Sequence, residues 1–572
     1  MPPVGQPLRI QPGQARTSGL ADSDGLLFNS SPIGGAEGCG RGRIHHAVAA
    51  ALCLAVLLHG ARTSGDLDWP PDPDHFRDIA QAQTIQDGGW LQDPFYRGES
   101  AWYNPLLSGI LAGISSLSGE PVHVVATRAG AYLNLLAPLT FYLLVYRLMG
   151  PTVALTSLVG FLFLIRGPTW AVPTYSPWLF ASIFAQPFFY LTLAEYYIAI
   201  ATERPWRYLV VGVLLGTTFL AHTGPAIAAG MTILAVTGCR VIAQREVRTH
   251  ARRLALIAGP AVLVALPFLW SIVGHYQLSI ENPTPLIWRD PQLPPERWGT
   301  LWTIFSGGYV VNTMALLGLA ATVAGCVRRG AAAIVVAWLG TSLLLFIYNH
   351  FLILRPNWPS FPPLLPAHHF LVYERAAQMV AVGVGLTLSG MAVGWLGWQV
   401  SRRVVPRVRL EHITCVVYAV IVAVIVWYNY PAFLARAAFG QEREAAKAAY
   451  ATDELRAIVP WIRGNSRPSD VFLTSESACL SVVGPSGRKC VLAPRFFSNP
   501  YVNWDVRRDA HQAMWDALVA DDCVTFQNHA YAYRVRYVMT VASRTPELPS
   551  GRCGLLSTTF PGTNWRIYRA FR

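Results

Sequence analysis

Apolar positions run along this chain in long stretches separated by short polar turns. Stretches near 44–61, 124–146, 151–166, 178–200, 207–221, 225–244, 254–273, 301–326, 331–349, 372–399 and 413–430 have the length and apolarity expected of helices crossing a hydrocarbon core about 30 Å thick. The pattern therefore predicts a polytopic α-helical membrane protein with about 11 transmembrane helices. One further stretch, NPLLSGILAGISSLSG at 104–119, is apolar but short. Counting it as a crossing would put later basic turns on the wrong side, so it reads as an interfacial or re-entrant helix.

Composition agrees with this pattern: 53% of residues are hydrophobic and only 13% are charged. A formal net charge of +13 could suggest a nucleic-acid partner, but the arginines sit largely in short turns between apolar runs. Membrane topology explains them better than nucleic acid does. Arg41 and Arg43 precede the first span, and Arg204, Arg207, Arg245, Arg248, Arg252, Arg253, Arg328, Arg329, Arg402, Arg403, Arg407 and Arg409 mark later turns as cytoplasmic. The expected arrangement is a multi-pass protein of the cytoplasmic (inner) membrane, N-terminus inside and C-terminus outside. Residues 1–43, rich in Gly, Pro and Ser, read as a disordered cytoplasmic tail, with a mis-assigned start codon as the alternative. The first span reads as an uncleaved anchor, because no small-residue cleavage site follows it.

From about residue 431 the composition becomes that of a soluble domain. Residues 44–430 thus form the transmembrane module and 431–572 an extracytoplasmic α/β domain, in which WIRGNSRPSDVFLTSESACLSVVGPSGRKCVLAP reads as helix, strand, loop and strand. A helix is expected at 504–519, and RVRYVMTVAS reads as another strand. Four of the nine cysteines, Cys479, Cys490, Cys523 and Cys553, fall in this domain. An even number outside the cytoplasm predicts two disulfides, and loop length favours Cys479 with Cys490 and Cys523 with Cys553; buried free thiols are the alternative.

Candidate chemistry concentrates in the first external loop, 65–123. Its part from 65 to 104 holds eight acidic residues, Asp66, Asp68, Asp72, Asp74, Asp78, Asp87, Asp93 and Glu99, against two basic ones, Arg77 and Arg97. Asp72 and Asp74 stand just before a segment, His75 to Gln86, that can form a helix lying on the membrane, and prolines at 70, 71 and 73 stiffen the approach. A carboxylate held this way can take the proton of an acceptor group, and two together could hold a divalent cation such as Mg or Mn through oxygen ligands. The structural alternative is that Asp74 caps the helix.

This loop, with its acidic pair, its GWLQDPFY and WYNPL motifs, the many spans and the outer α/β domain, resembles the GT-C superfamily of membrane glycosyltransferases. That superfamily includes protein O-mannosyltransferases, lipid A aminoarabinose transferases and oligosaccharyltransferase catalytic subunits. The resemblance implies inverting transfer of a sugar from a polyprenyl-phosphate-linked donor to a cell-envelope glycan, lipid or protein on the outer face of the membrane. The family's loop aspartate falls on Asp74 or Asp72, with Asp74, nearest the helix, preferred. The departing lipid phosphate then needs cations, for which the chain offers Arg375, His369, His368, His222 and Arg355.

Each has a structural alternative: Arg375 pairing with Glu374 or anchoring a helix end, His222 capping a turn. Glu99, Trp102 and Tyr103 are placed on the substrate side. Trp90, Phe95, Tyr96, Trp102 and Tyr103 could stack on sugars, and so could Trp288, Trp298 and Trp302, although an interfacial aromatic belt is the stronger explanation. The turn IRGPTWAVPTYSP at 166–177 lacks the second acidic motif of oligosaccharyltransferase subunits, and NWD at 503–505 stands where they carry W-W-D-Y-G. Sequon glycosylation is therefore not expected, and a metal-independent reaction with a monophosphate-lipid donor is. A lipid-linked glycan transporter or flippase would need mid-span charges, which are few here. A non-catalytic envelope assembly protein would tolerate Asp-to-Asn changes in the loop.

Overall fold

A computed structural model of the protein describes residues 41–287, 308–326, 330–350, 365–405, 409–450, 453–541, 551–558, 560 and 564–570. Among the described residues nine helices are long and apolar enough to cross a membrane, the first at Arg43–Ser64 and the last at Leu410–Leu434. Three shorter apolar helices, Leu106–Ser118, Pro151–Leu164 and Pro205–Ala221, accompany them. Two of these fall on expected spans, so each of the eleven expected segments carries a helix. The bundle packs closely where side chains are small: a Cβ on Gly318 would collide with the Ala381 carbonyl, and one on Gly383 with Ser157. Small residues of this kind let helix backbones approach in a medium that offers no hydrophobic driving force.

The first span belongs to α1 (Arg41–Ser64). After it the chain turns through the acidic loop into α2 (Pro73–Gln86), and after a second turn into α3 (Leu106–Ser118). At 1.5 Å per residue α3 is about 20 Å long, too short for the bilayer core. Instead its Leu107, Leu111 and Ala112 pack with Ile79 and Ala82 of α2 in one apolar cluster. Local chemistry starts α2 at Pro73, two residues earlier than expected. The Asp72 carboxylate accepts the Asp74 N–H at 2.9 Å, and Pro73 occupies the first helical position, where a missing N–H costs nothing. Asp72, rather than Asp74, is the cap. Although polar in sequence, α2 is buried from His75 through Thr84.

One side of it is buried by α3 and the helix Val122–Leu133, and the other by the C-terminal part of the chain. There a five-stranded sheet runs in the order β2-β1-β3-β5-β4, formed by β1 (Val471–Leu473), β2 (Lys489–Cys490), β3 (Val535–Val541), β4 (Leu555–Ser557) and β5 (Trp565–Ala570). Strands β2, β1 and β3 are parallel, while β5 pairs antiparallel with both β3 and β4. The expected helix is present at Trp504–Ala520, and another at Asp453–Asn465 precedes β1. Trp69, Phe76, Phe95 and Tyr96 of the first loop share one core with Ile458, Phe472 and Val483 of this domain. Phe95 and Tyr96 are 0% exposed. They cannot stack on a sugar, which corrects the expectation for these two rings.

Ion pairs reinforce the shared core. Asp87 accepts from Arg488 at 3.0 Å and from Arg463 at 3.2 Å, Asp66 pairs with Arg443 at 2.7 Å, and Asp68 with Arg456 at 3.1 Å. Of the two expected disulfides, Cys523–Cys553 is formed. Cys479 and Cys490 are buried free thiols whose side chains approach within hydrogen-bonding reach, so the second expected bridge is corrected to a thiol pair. Both sit in the core shared with the first loop, where a small apolar side chain is what packing asks for.

Peptide mapping under non-reducing conditions should recover Cys523 and Cys553 in one linked species. Cys479 and Cys490 should become alkylated only after denaturation; alkylation of either in the native protein would contradict this packing.

Candidate functional site

The N-terminal end of α2 points into a cavity of about 590 Å³. From the first loop it is lined by Asp72, Asp74, Arg77, Trp102, Tyr103 and Asn104; from the helix bundle by His222, His368 and His369; from the C-terminal domain by Phe496, Phe497, Pro500 and Tyr501. A further wall is apolar and includes Leu269, Ile272, Val273 and Leu286. Three regions far apart in the chain therefore close around one space, with charge at one side and hydrocarbon at another.

Helical spacing sets the charged side. Arg77, one turn after Asp74, donates from Nη1 to Asp74 Oδ1 at 3.2 Å and from Nε to Asp78 Oδ1 at 3.0 Å. Its guanidinium lies over the Tyr103 ring, 3.7 Å from the centroid. Gln81 Nε2 in turn holds the Tyr103 carbonyl at 3.1 Å, so the ring under Arg77 is positioned by the same helix. Arg77 and Asp78 are both buried, whereas the Asp74 side chain keeps 34% of its surface open, toward the cavity. Asp72 and Asp74 both line the cavity, each with one oxygen engaged, whereas Asp78 is buried away from it.

Burial raises the Asp74 carboxyl above the usual range, and the Arg77 cation works against that rise. Asp72 is raised by burial too, opposed by the Asp74 N–H and by Arg77. Asp78 is pushed up to about 6 by burial, with Arg77 again opposing. Burial brings His75 down to about 4, so its ring, packed 4.5 Å from Phe180, is neutral near pH 7.

Across the cavity three imidazoles meet. His222 caps the helix Thr223–Gln244 by accepting the Gly224 N–H at 3.1 Å, and its ring lies 4.5 Å from that of His369. His369 in turn lies 4.1 Å from His368, whose other neighbour is Trp170 at 4.9 Å. The capping role foreseen for His222 is thus real, and it leaves the ring on the cavity wall. Asn104 ties the first loop to this corner by donating to the Phe219 carbonyl at 2.6 Å and to Thr223 Oγ1 at 3.1 Å.

Other candidates lie elsewhere. Arg375 reaches the carbonyls of Arg166 and Ala171 at 3.4 and 3.5 Å and does not line the cavity. Glu99 faces Arg507 at 3.5 Å and accepts from the Tyr276 hydroxyl at 3.1 Å. Trp90 is exposed and lies outside the cavity. Arg355, Trp288, Trp298 and Trp302 fall outside the described residues. Arg77 and Tyr501 are cavity residues that the sequence left unassigned. The Asp74 to Arg77 spacing of one helical turn was the available signal for the first, and nothing local marks the second.

As a metal site the acidic pair is poorly equipped. One Asp72 oxygen accepts a backbone N–H and one Asp74 oxygen accepts from Arg77, whose cation stands beside the place an ion would take. A hard divalent cation wants six or so oxygens, and among the described residues no third carboxylate lines the cavity. The cluster of Asp521, Cys523 and Cys553 offers no thiolate, because both sulfurs are in the disulfide.

No protein-family model matches the chain, and no curated protein sequence does. The chain's fold is similar to that of ArnT from Cupriavidus metallidurans in the apo state, at 13% identity and TM-score 0.49 over 91% of this chain and 97% of that one. It is similar also to the archaeal oligosaccharyltransferase AglB from Archaeoglobus fulgidus, at 12% identity and TM-score 0.48 over 86% of this chain and 69% of that one. A third likeness is to the arabinofuranosyltransferase AftD from Mycobacteria, at 15% identity and TM-score 0.48 over 92% of this chain and 40% of that one.

Replacing Arg77 by Ala leaves Asp78 buried without its cation. It should cost about 3 kcal/mol or more of stability, read as a lowered thermal unfolding temperature of the purified protein. Arg77→Met combined with Asp78→Leu should recover much of that loss. An unchanged transition in the single variant would show that Asp78 is neutralised in another way.

Proposed function

We propose that this protein is a membrane glycosyltransferase that moves a sugar from a polyprenyl-phosphate-linked donor to a cell-envelope acceptor on the outer face of the membrane, with Asp74 as the base. The observation that carries this reading is a single cavity in which an open carboxylate, Asp74, faces three imidazoles across a space bounded by hydrocarbon on one side and by the C-terminal domain on another. A general base must reach the proton it removes, and among the carboxylates of α2 Asp74 is the one that opens on the cavity.

In the proposed reaction an acceptor hydroxyl gives its proton to Asp74 while its oxygen forms a bond to the anomeric carbon. The bond from that carbon to the phosphate oxygen breaks on the opposite face, and its electron pair leaves with the lipid phosphate. This is a single displacement with inversion. His222, His368 and His369 are assigned to the phosphate side as hydrogen-bond donors, and Arg77 supplies the nearby positive charge. Donors fixed in advance stabilise developing charge without having to reorganise. The apolar wall of Leu269, Ile272, Val273 and Leu286 suits a prenyl chain, while Tyr501 and Trp102 suit a sugar face. Arg375, by its placement, is assigned to holding the turn at 166–171 rather than phosphate. No metal takes part in the proposed reaction.

The two aspartates separate experimentally. Asp74→Asn should lower transfer by roughly 10²- to 10⁴-fold, the usual contribution of a positioned base, with lipid-linked sugar accumulating in membranes. Asp72→Asn should keep most of the activity, because asparagine caps a helix about as well as aspartate. Since burial raises the Asp74 carboxyl, the acid limb of kcat/KM should lie at higher pH than an ordinary carboxylate would give. Envelope glycan analysis of a deletion strain carrying each variant decides the matter: full restoration by Asp74→Asn would remove the transferase reading.

A further inference from the structure

A second cavity, of about 390 Å³, opens where the first loop meets the C-terminal domain. Three arginines from three separate elements line it: Arg97 from the first loop, Arg507 from the helix Trp504–Ala520, and Arg534 from the turn before β3. No acidic residue lines it among the described residues. Among the described residues Glu99, paired with Arg507, is the carboxylate that meets these three cations, so the group keeps an excess of positive charge that an anion bound there would offset.

The three are not equivalent. Arg507 is the fixed member, with its side chain 13% exposed and its guanidinium 4.0 Å from the centre of the Tyr96 ring and 5.6 Å from that of Tyr533. Its ion pair with Glu99 is long, at 3.5 Å, so its charge is only partly spent. Arg97 and Arg534 are exposed and stand at bends that the backbone makes on purpose. Gly98, beside Arg97, has φ +84°, and Arg534 itself has φ +55°, a conformation most side chains avoid. One guanidinium clamped between aromatic rings and two adaptable ones around a space of this size suit an oxyanion carried on a sugar ring.

We infer that this cavity is a subsite for an anionic acceptor glycan, one bearing phosphate or carboxylate groups, and that it holds the acceptor away from the reacting end. The inference rests on the transferase reading and adds the charge class of the acceptor. A chain of contacts links the two cavities: Arg507 to Glu99, Glu99 to the Tyr276 hydroxyl, and the Tyr276 ring stacked 4.9 Å from Tyr501 on the wall of the first cavity. The two cavities are thus coupled through the side chains of Glu99, Tyr276 and Tyr501.

Binding tests this without requiring transfer. Full-length protein in neutral-lipid nanodiscs is titrated with trigalacturonate, with neutral trigalactose and with inorganic phosphate. The charged trisaccharide should bind the wild type at least about tenfold more tightly than the neutral one, and R97E/R534E should lose roughly tenfold or more of that affinity, about 1.4 kcal/mol, at an unchanged unfolding temperature. Asp74→Asn should bind it as the wild type does, so a failed transferase reading would leave this result intact. The single variant Arg97→Glu provides a second test should the double variant fold poorly, and it should bind the charged trisaccharide more weakly than the wild type. Equal binding of the charged and neutral trisaccharides, or wild-type affinity in the arginine variants, would overturn the subsite. So would a response to inorganic phosphate, or to anionic lipid in parallel nanodiscs that contain it, but not to trigalacturonate, because the occupant would then be a free ion or a headgroup.

Discussion

Carboxylates of the first loop are held by cations from the far end of the chain, and the geometry of the site depends on that grip. Arg488 is 4% exposed and needs the Asp87 carboxylate to be buried at all. Asp87 is the residue at which α2 ends, so the pair fixes the C-terminal end of the helix whose other end carries Asp74. The remaining pairs, Asp66 with Arg443 and Asp68 with Arg456, are more exposed and each worth little alone. Their contribution is cumulative direction: each lies on the same loop and draws it toward the same domain. With Phe95 and Tyr96 buried in the common core, α2 has one orientation available to it.

Three carboxylates within seven residues then acquire three different environments. Asp72 spends one oxygen on the backbone and starts the helix. Asp78 is buried against Arg77 and keeps that cation in place. Asp74, on the same turn, shares Arg77 but keeps part of its surface open to the cavity. What separates them is position along the first two turns of the helix. The N-cap faces back to the backbone, the second position faces forward into the cavity, and the sixth faces the core. A shift of one residue in the start of α2 would exchange these roles, which is why Pro73, fixing the first helical position, matters as much as the charges do.

The spans were legible in the sequence because a bilayer imposes a constraint that acts along the chain: every buried backbone polar group must be satisfied within a helix of sufficient length. The acidic loop was legible for the complementary reason, since so many carboxylates beside a membrane need partners or work. Which carboxylate does which was not. Spacing left Asp72 and Asp74 open, and capping was decided by which backbone N–H each could reach. Histidines 222, 368 and 369, singled out because polar groups at helix mouths stand out, line the cavity, whereas Arg375, marked by the same signal, turned to two carbonyls of a neighbouring loop. Phe95 and Tyr96 were misread because their partners lie in the C-terminal domain; Tyr96 meets Ser498 across 402 residues of sequence. Cys479 and Cys490 were brought together as their spacing implied, but in a core whose packing is satisfied by thiols.

On the proposed reading the division of the first cavity's walls also has a physical reason. A prenyl donor and a hydrophilic acceptor come from different phases, and a site serving both needs a boundary that each can approach without being desolvated by the other's surroundings. The hydrocarbon of Leu269, Ile272 and Val273 belongs to the bundle, while Phe496, Phe497 and Tyr501 belong to the domain beyond it. Asp74 and Arg77 stand between the two walls as a carboxylate and a cation that offset each other. A phosphate departing on the bundle side would meet imidazoles already in place, and a proton released from the acceptor would find the Asp74 carboxylate on the cavity wall.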